Sequence, residues 1–405
     1  MKNKIPRKLC ILSTFKRLLT FRGKMENRKS WQNGNPSVLL VTIRTPINMS
    51  IKMTETTLNN YSAKAESGND LDETEIEAAS DLLASPDPDA VDKERFLLAL
   101  ADKGESPEEV AAFASRFREL ARDPGLSSLA KAAIDVCGTG GDKSGSFNIS
   151  TFVAFTLSAG GVPVLKHGNR SITSKCGSAD LLEGVGIHLT PSPATLIAAA
   201  EELNFTFFFA PNFHPAFKEI MPVRQNLASK GRRTVFNLLG PLINPAQPAF
   251  QLLGVFSPDL VVPMASTLNA LGLRRGLVVH GKLDEGRGMD EISCAGKNLA
   301  AGFGELADVR QENWEPESFG LPPCNESELK GGDLSDNLNI LDDLLHGRAP
   351  EGLLSTIVAN AAAAFYISEK AANVREGAII AKELILGGRV RSWLQKAQEF
   401  YADHD

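Results

Sequence analysis

The chain has 405 residues, of which 43% are apolar, 23% charged and 7% aromatic. These values are typical of a globular protein with one large domain and a smaller one. No apolar run approaches the roughly 18 residues of a membrane-spanning helix, so we expect no membrane partner. The five cysteines form neither a CxxC nor a CxH pattern. A disulfide framework and a zinc site are therefore not indicated, and a reducing, cytoplasmic location is favoured.

Charge is distributed unevenly along the chain. Residues 1–52 contain twelve Lys or Arg and a single acid, Glu26. Residues 53–405 therefore contain 31 basic and 48 acidic side chains, a net charge of −17. Because nucleic-acid binding depends on Lys and Arg that neutralise phosphates, this acidic body argues against a nucleic-acid partner.

The basic segment 1–52 has no sustained helical or strand period, so we place it outside the fold. Two hypotheses explain it. It is an organellar targeting segment, since it is basic and almost free of acids, or it is translated sequence upstream of a true start near Met49 or Met53. Few serines and no clean amphipathic stretch favour the second hypothesis.

Helical and strand patterns divide the rest of the chain. Residues 71–122 show apolar positions at three-and-four spacing, with Ser106 and a following proline as a helix start, which predicts a small helical domain over 53–128. From there short β-type runs alternate with helical stretches, so residues 129–405 are predicted to be α/β, with a mixed, mainly parallel sheet covered by helices. The strands are expected at residues 134–136, 162–165, 205–209, 250–256 and 276–279.

A glycine-rich segment follows the first expected strand. Residues 135–151 are DVCGTGGDKSGSFNIST, with four glycines before a helix that should begin near Asn148. Glycines let backbone amides approach an anion, and the polar side chains at the helix start add donors where the helix dipole is positive. The segment fits neither GxxxxGK(S/T) nor GxGxxG. We interpret it as a phosphate cradle at the carboxyl end of the strand.

Three further segments carry polar side chains. Residues 166–170 are KHGNR and residues 177–180 are GSAD, which together predict a substrate-lining cluster. A helix after Phe213 carries Arg224, whose planar guanidinium suits a carboxylate. Residues 280–293 contain two Asp-Glu pairs, and adjacent carboxylates can bind Mg²⁺. Taken singly, each of these features also occurs as an ordinary surface charge or helix start, so the residues alone leave their roles open.

Together these segments resemble the anthranilate phosphoribosyltransferase family. The likeness depends on GTGGD followed by NIST, on KHGNR followed by GSAD, and on RTVFNLLGPLINP at residues 233–245. The resemblance implies transfer of a phosphoribosyl group from phosphoribosyl pyrophosphate (PRPP) to anthranilate in tryptophan synthesis, with Mg²⁺. It also implies a small helical domain that forms a homodimer and on which helices of about residues 214–240 pack.

The resemblance, carried over by position, implies three groups of site residues. The PRPP group is Gly138, Gly140, Gly141, Asp142, Ser146, Asn148, Ser150, Thr151, Lys166 and Ser178. The anthranilate group is Gly138, His167, Asn169 and Arg224. The magnesium group is Ser150, Asp290 and Glu291, and Lys166 and His167 are expected to be catalytic. Asp290–Glu291 is preferred to Asp284–Glu285 because the family's pair precedes an aliphatic and a hydroxyl residue.

The sequence departs from the family pattern in three places. Ser146 stands where a threonine is common, and segments 228–232 and 280–290 look longer than usual. Two alternative functions remain, a pyrimidine-nucleoside phosphorylase with a related fold and a non-catalytic relative that binds nucleic acid. The KHGNR and DEIS segments argue against the first, and the acidic body argues against the second.

Overall fold

The computed structural model describes residues 57–170, 175–283, 286–309 and 312–404. Their central element is a mixed sheet in the order β3-β2-β1-β4-β5-β7-β8. The strands are β1 (Ile134–Gly138), β2 (Val164–Gly168), β3 (Phe205–Phe209), β4 (Phe250–Gly254), β5 (Arg275–Lys282), β6 (Gly288–Met289), β7 (Asn298–Gly304) and β8 (Glu312–Trp314).

Strands β1 to β5 run parallel to one another, whereas β6 and β7 pair antiparallel with β5, and β8 pairs antiparallel with β7. The predicted α/β class with a mixed, mainly parallel sheet is confirmed. The five expected strands are present. Strand β3 has the expected bounds, the other four have shifted ends, and β6, β7 and β8 were not expected. Strand β2 continues to Gly168, with Lys166 and His167 paired to Phe207 and Phe208 of β3. From the apolar run in the sequence we expected β2 to end at residue 165. Apolar character does not show where the hydrogen bonding between two strands stops.

Helices surround the sheet. They are α1 (Leu58–Glu66), α2 (Glu73–Ala84), α3 (Ala90–Lys103), α4 (Pro107–Glu119), α5 (Ser127–Ala130), α6 (Ile149–Ala159), α7 (Ser178–Gly184), α8 (Pro193–Leu203), α9 (Ala210–Phe213), α10 (Met221–Ser229), α11 (Phe236–Leu239), α12 (Val261–Ala270), α13 (Leu334–Leu345), α14 (Glu351–Ile367), α15 (Val374–Leu386) and α16 (Arg389–Asp403). None of the described helices is both long and apolar enough to cross a bilayer.

Both faces of the sheet are covered, as alternation along the strands requires. Leu252 and Leu277 belong to a core shared with α6 and α14. Their neighbours Leu253 and Val278 belong to a second core, shared with α4 and α12. Parallel strands covered on both faces leave their carboxyl ends free for function.

Helices α1 to α4 follow the local sequence signals closely. The side chain of Ser106 caps α4, whose first residue is Pro107, and Glu109 completes the capping box. Helices α1 to α4, α10 and α11 contribute side chains to the same core. The described chain packs as one compact unit, and the domain boundary expected after residue 128 stays a prediction.

The helix expected after Phe213 is interrupted. A 3-10 turn covers Pro215–Glu219, and α10 begins separately at Met221 with a proline in its first turn. Proline lacks the N–H that a continuous helix would need at that point, so the interruption has a local cause.

Candidate active site

A pair of glycines at the ends of β1 and β4 makes room for Asp290. Gly138 and Gly254 are register partners. A Cβ on Gly138 would stand 2.2 Å from the Asp290 Oδ2, and one on Gly254 would stand 1.6 Å from the Asp290 carbonyl oxygen. Only glycine at both positions lets the segment after β6 lie directly on the strand ends.

The glycine loop after β1 is bound to this acidic segment. The Gly140 backbone N–H donates to the Asp290 carboxylate over 2.6 Å, and the Asp142 carboxylate accepts from the Asp290 backbone N–H over 3.4 Å. Gly140 and Gly141 have φ values of 71° and 79°, a left-handed conformation that favours glycine. The loop is thus shaped by its glycines, with Asp142 turned toward Asp290.

The β-hairpin before Asp290 explains how the chain returns to the strand ends. Strand β6 pairs antiparallel with the end of β5, with Gly281 opposite Met289. The extension expected at residues 280–290 therefore lies largely in a hairpin. Asp284 and Glu285 lie outside the described residues, as do residues 171–174.

Three carboxyl groups, those of Asp142, Asp290 and Glu291, lie close together at this point. Burial and the neighbouring Asp142 raise the pKa of Asp290 to about 8. Burial and Asp290 raise the pKa of Glu291 well above its ordinary range, while Lys166 acts in the opposite direction. Like charges held this close are stabilised by a shared cation.

Lys166 and Ser150 connect β2 to the start of α6. The Lys166 ammonium is 1% exposed and donates to the Val136 carbonyl oxygen at 2.5 Å and to the Ser150 Oγ at 3.3 Å. The Ser150 backbone N–H lies near the Glu291 carboxylate and opposes the rise in its pKa. An ammonium has three N–H donors, so one remains for a substrate oxygen.

The start of α6 offers further polar groups. Asn148 is the N-cap residue, and its side chain makes no capping bond. Thr151 is fully buried, and its Oγ1 has no hydrogen-bond partner in the described part of the chain. The Ser144 hydroxyl donates a hydrogen bond to the Ser146 Oγ at 3.0 Å.

A segment far along the chain, which the sequence did not single out, supports this loop. Lys330 forms an isolated antiparallel bridge with Ser146, and the Gly331 backbone N–H donates to the Gly145 carbonyl oxygen at 2.9 Å. A Cβ on Gly331 would stand 2.7 Å from the Ser146 carbonyl oxygen. The side chain of Asn337 accepts from the Asn148 backbone N–H at 3.3 Å. The adjacent glycines at 331 and 332 were the one signal available in the sequence.

Two buried histidines face each other beside this region. The rings of His167 and His214 are 5.0 Å apart. Burial lowers the pKa of His167 to about 3, and burial lowers that of His214 to about 4. The His167 Nδ1 lies 3.2 Å from the Gly240 carbonyl oxygen. A carbonyl can only accept, so Nδ1 carries the proton and Nε2 keeps its lone pair.

The Nε2 atoms of His167 and His214 have no hydrogen-bond partner within the described ranges. His214 is at the N-cap position of the 3-10 turn that follows it, but its side chain makes no cap hydrogen bond. Its position beside His167 follows from the fold and has no signal in the local sequence.

Arg224 of α10 is linked to the histidines through aromatic rings. Its guanidinium lies 5.6 Å from the ring centre of Phe217 and 5.3 Å from that of Phe236. The His214 and Phe217 rings are 5.5 Å apart. The Arg224 guanidinium donates two long bonds, one to the Phe236 carbonyl oxygen at 3.4 Å and one to the Met221 sulfur at 3.9 Å. Burial lowers the pKa of Arg224. A half-buried guanidinium without a carboxylate in the described structure has capacity for an anionic ligand.

Asn169 and Ser178 lie at the outer rim. The Asn169 Oδ1 accepts from the Arg170 backbone N–H at 2.8 Å, and its carbonyl oxygen is 3.4 Å from the Ser178 hydroxyl. Ser178 is the first residue of α7, whose N–H groups point toward the end of β2. Asn169 is exposed.

A buried network holds β1 and β2 in place below the site, and sequence analysis gave it no role. The Asn244 side chain donates to the Asp135 carboxylate at 2.9 Å and to the Leu165 carbonyl oxygen at 2.7 Å. Burial raises the pKa of Asp135 to about 6, against the opposing effect of Lys166. Asn244 thus ties together the strands that carry the glycine loop and Lys166.

Comparison with known proteins identifies the family. The profile of the glycosyl transferase family, a/b domain, matches residues 130–391. Anthranilate phosphoribosyltransferase of Petrotoga mobilis is 39% identical over 343 residues, which are 84% of this chain and 96% of that protein. The chain belongs to the anthranilate phosphoribosyltransferase family. The resemblance stated from the sequence motifs is confirmed.

Solved structures of this family share the fold. The crystal structure of anthranilate phosphoribosyltransferase from Thermus thermophilus matches with a TM-score of 0.75 and 39% identity, covering 84% of this chain and 99% of that one. The enzyme from Saccharomyces cerevisiae in complex with PRPP and Mg matches with a TM-score of 0.73 and 26% identity, covering 87% and 99%.

Proposed function

We propose that this protein is an anthranilate phosphoribosyltransferase, which transfers the 5-phosphoribosyl group of PRPP to the amine of anthranilate and releases pyrophosphate in tryptophan biosynthesis. The names of its relatives support this function. The structural observation that supports it most directly is the convergence of three elements at the strand ends. These are the glycine loop, the Lys166 ammonium and the pair Asp290–Glu291.

PRPP fits the region between the glycine loop and the start of α6. In this proposal the pyrophosphate lies along Gly138, Gly140 and Gly141, where small residues let the backbone approach an anion. The phosphate on ribose takes the positive end of α6, with donors from Asn148, Ser150 and Thr151. The remaining expected contacts are Asp142, Ser146, Lys166 and Ser178.

The donor set fits a magnesium ion. Among the described residues, no three His, Cys, Asp or Glu side chains form a metal-binding cluster by themselves. Asp290, Glu291 and the hydroxyl of Ser150 would hold the ion, and water and phosphate oxygens would complete its ligands, as is common for Mg²⁺. A bound Mg²⁺ would neutralise charge on the leaving pyrophosphate.

Anthranilate fits beside the row of side-chain rings that lies between His167 and Arg224. In this proposal the guanidinium receives the carboxylate, and the aromatic ring lies beside His214 and Phe217. The neutral His167 accepts the amine N–H at Nε2, and Asn169 and Gly138 line the remaining sides. Because a neutral imidazole does not repel a developing positive charge, this arrangement suits attack by a neutral amine.

The proposed mechanism places most of the rate enhancement on orientation. Lys166 stabilises the departing pyrophosphate while positive charge develops on ribose C1, in a transition state that resembles an oxocarbenium ion. The amine already has a lone pair, so His167 needs only to orient it and receive its proton through Nε2. Most of the rate enhancement comes from this positioning of the two substrates, and electrostatic stabilisation of the leaving group supplies the remainder.

Homodimer formation through the small helical domain, which the resemblance implies, and a cytoplasmic location, which the cysteine pattern favours, also belong to this proposal. Light scattering on the purified full chain tests the first, and a mass of one chain at micromolar concentration would contradict it. Fractionation of source cells tests the second.

Activity measurements distinguish the proposed function from its nearest alternative. Purified protein is incubated with PRPP, Mg²⁺ and anthranilate, and the loss of anthranilate fluorescence is followed. A parallel reaction contains thymidine and inorganic phosphate. The proposal predicts turnover only in the first reaction. Phosphorolysis of thymidine without consumption of anthranilate would favour a pyrimidine-nucleoside phosphorylase instead.

A further inference from the structure

We propose that Arg233 is an additional pyrophosphate-binding residue of this site, a role that rests on the proposed function. Arg233 lies between α10 and α11, at the start of the RTVFN run that leads into α11. Its guanidinium carbon lies 3.9 Å from the ring centre of Phe256. The side chain is exposed, yet this stacking on an aromatic face fixes its orientation.

The aromatic platform belongs to the strand ends. Phe256 follows β4, and its backbone N–H donates to the Thr139 hydroxyl at 3.1 Å. The Thr139 backbone N–H in turn donates to the Gly254 carbonyl oxygen at 2.9 Å. The ring that carries the guanidinium is therefore attached to the first residue of the glycine loop.

The guanidinium faces the loop itself. Its Nη2 lies 3.8 Å from the point where a Cβ on Gly141 would stand. Gly141 is next to Gly140, whose N–H is bound to Asp290. Arg233 thus lies at the end of the loop where the proposed magnesium and pyrophosphate meet, across from Lys166 at the other side of β1.

Arg233 is available for an anion. In the described structure it has no ion pair, whereas its neighbour Arg232 is paired with Asp102. Asp142, the nearest acid along the loop, is directed to the N–H groups of Ser144 and Asp290. A stacked guanidinium with unused donors binds phosphate oxygens in a fixed geometry, which a flexible lysine does not do equally well.

Arg233→Ala and Arg232→Ala form a matched pair that tests this role, since each removes one positive charge from the same segment. Calorimetry measures the Kd of the protein for inorganic pyrophosphate in the presence of Mg²⁺. The KM values for PRPP and anthranilate are measured separately. Arg233→Ala should weaken pyrophosphate binding and raise the KM for PRPP by about 10- to 100-fold, with an unchanged Tm. Arg232→Ala should change each value less than about twofold, and Arg233→Lys should recover only part of the loss.

Two results would overturn the proposal. One is a pyrophosphate Kd in Arg233→Ala within twofold of wild type. The other is a selective rise in the KM for anthranilate, which would assign the guanidinium to the acceptor. Absence of wild-type turnover with PRPP and anthranilate would instead overturn the proposed function, and the pyrophosphate measurement would still decide the role of Arg233.

Discussion

The Asp290 carboxylate and the Gly140 backbone N–H are joined by a 2.6 Å hydrogen bond, although 150 residues separate them in the chain. This contact connects the two segments that the proposed mechanism requires, the anion-binding loop and the acidic pair. It depends on Gly138 and Gly254, where any larger residue would occupy the position of Asp290.

Glu291→Gln tests the acidic pair. The amide keeps an oxygen near the Ser150 N–H but lacks the charge that a cation needs. We expect kcat to fall by about 100-fold or more, with a higher Mg²⁺ requirement. Turnover is measured over a magnesium titration, and near-normal activity with normal metal dependence would remove this assignment. Glu291→Ala should be at least as severe.

Gly138→Ala tests whether the space for Asp290 matters for catalysis. The new methyl group would stand 2.2 Å from the Asp290 Oδ2 and must displace that side chain. We expect about a 100-fold loss of turnover, because small displacements of a catalytic group are costly. Asp290→Asn is the companion variant, which retains the shape and an acceptor for Gly140. Wild-type turnover in Gly138→Ala would show that the position of Asp290 is not critical.

Arg224→Ala tests the acceptor side. Loss of the guanidinium should raise the KM for anthranilate by about 10- to 100-fold. This is the change in affinity that the loss of hydrogen bonds to a charged group usually causes. The KM for PRPP should change little, since Arg224 lies on α10 among Phe217 and Phe236. Steady-state kinetics with each substrate varied in turn provides both values. An unchanged KM for anthranilate would move the carboxylate site elsewhere.

The buried state of His167 predicts a pH dependence of stability. Its pKa is lowered to about 3, whereas an unfolded histidine titrates near 6.5. Between these values the unfolded chain binds more protons, so the free energy of unfolding should fall as pH falls below about 6.5. His167→Gln should lose less stability than wild type between pH 7.5 and pH 5.

Urea unfolding at both pH values measures this difference. His346→Gln on the surface is the matched control and should follow wild type. Equal losses of stability in wild type and His167→Gln would mean that His167 is not held neutral by the fold.

Gly331→Ala tests the support of the glycine loop by the distant 329–331 segment. The added methyl group would meet the backbone of Ser146 and Phe147 at 2.7 and 2.8 Å. We expect a higher KM for PRPP while the KM for anthranilate stays nearly constant. Gly332→Ala, whose methyl group would meet the Asp336 side chain of α13 and not the backbone of the glycine loop, should have the smaller effect on the KM for PRPP. An equal effect of both variants would argue against a specific role for Gly331.

The sequence was sufficient for the parts of the fold that depend on local chemistry. The Ser106 cap, the proline at the start of α4 and the glycine loop after β1 each have a short-range physical cause. Family motifs gave the residues that surround the strand ends. The ends of β2 and β5 were misplaced, because polar residues such as Lys166 continue the hydrogen-bond ladder without adding apolar character.

The missing parts depend on contacts between distant residues. The His167–His214 pair, the Asn244 bridge and the 329–331 segment join positions that are from tens to nearly two hundred residues apart. No periodicity or spacing in one sequence reports such a contact. The 3-10 turn before α10 differs from these contacts because it has a local cause. Pro222 is visible in the sequence, and its missing N–H is enough to predict a break in the helix.

A crystal structure with PRPP and Mg²⁺ bound tests the central claim most directly. We expect the pyrophosphate between the glycine loop and Lys166, with the metal on Asp290 and Glu291 and the ribose phosphate at the start of α6. Pyrophosphate density at any other place, or the loop and the acidic pair turned away from a common ligand, would contradict it.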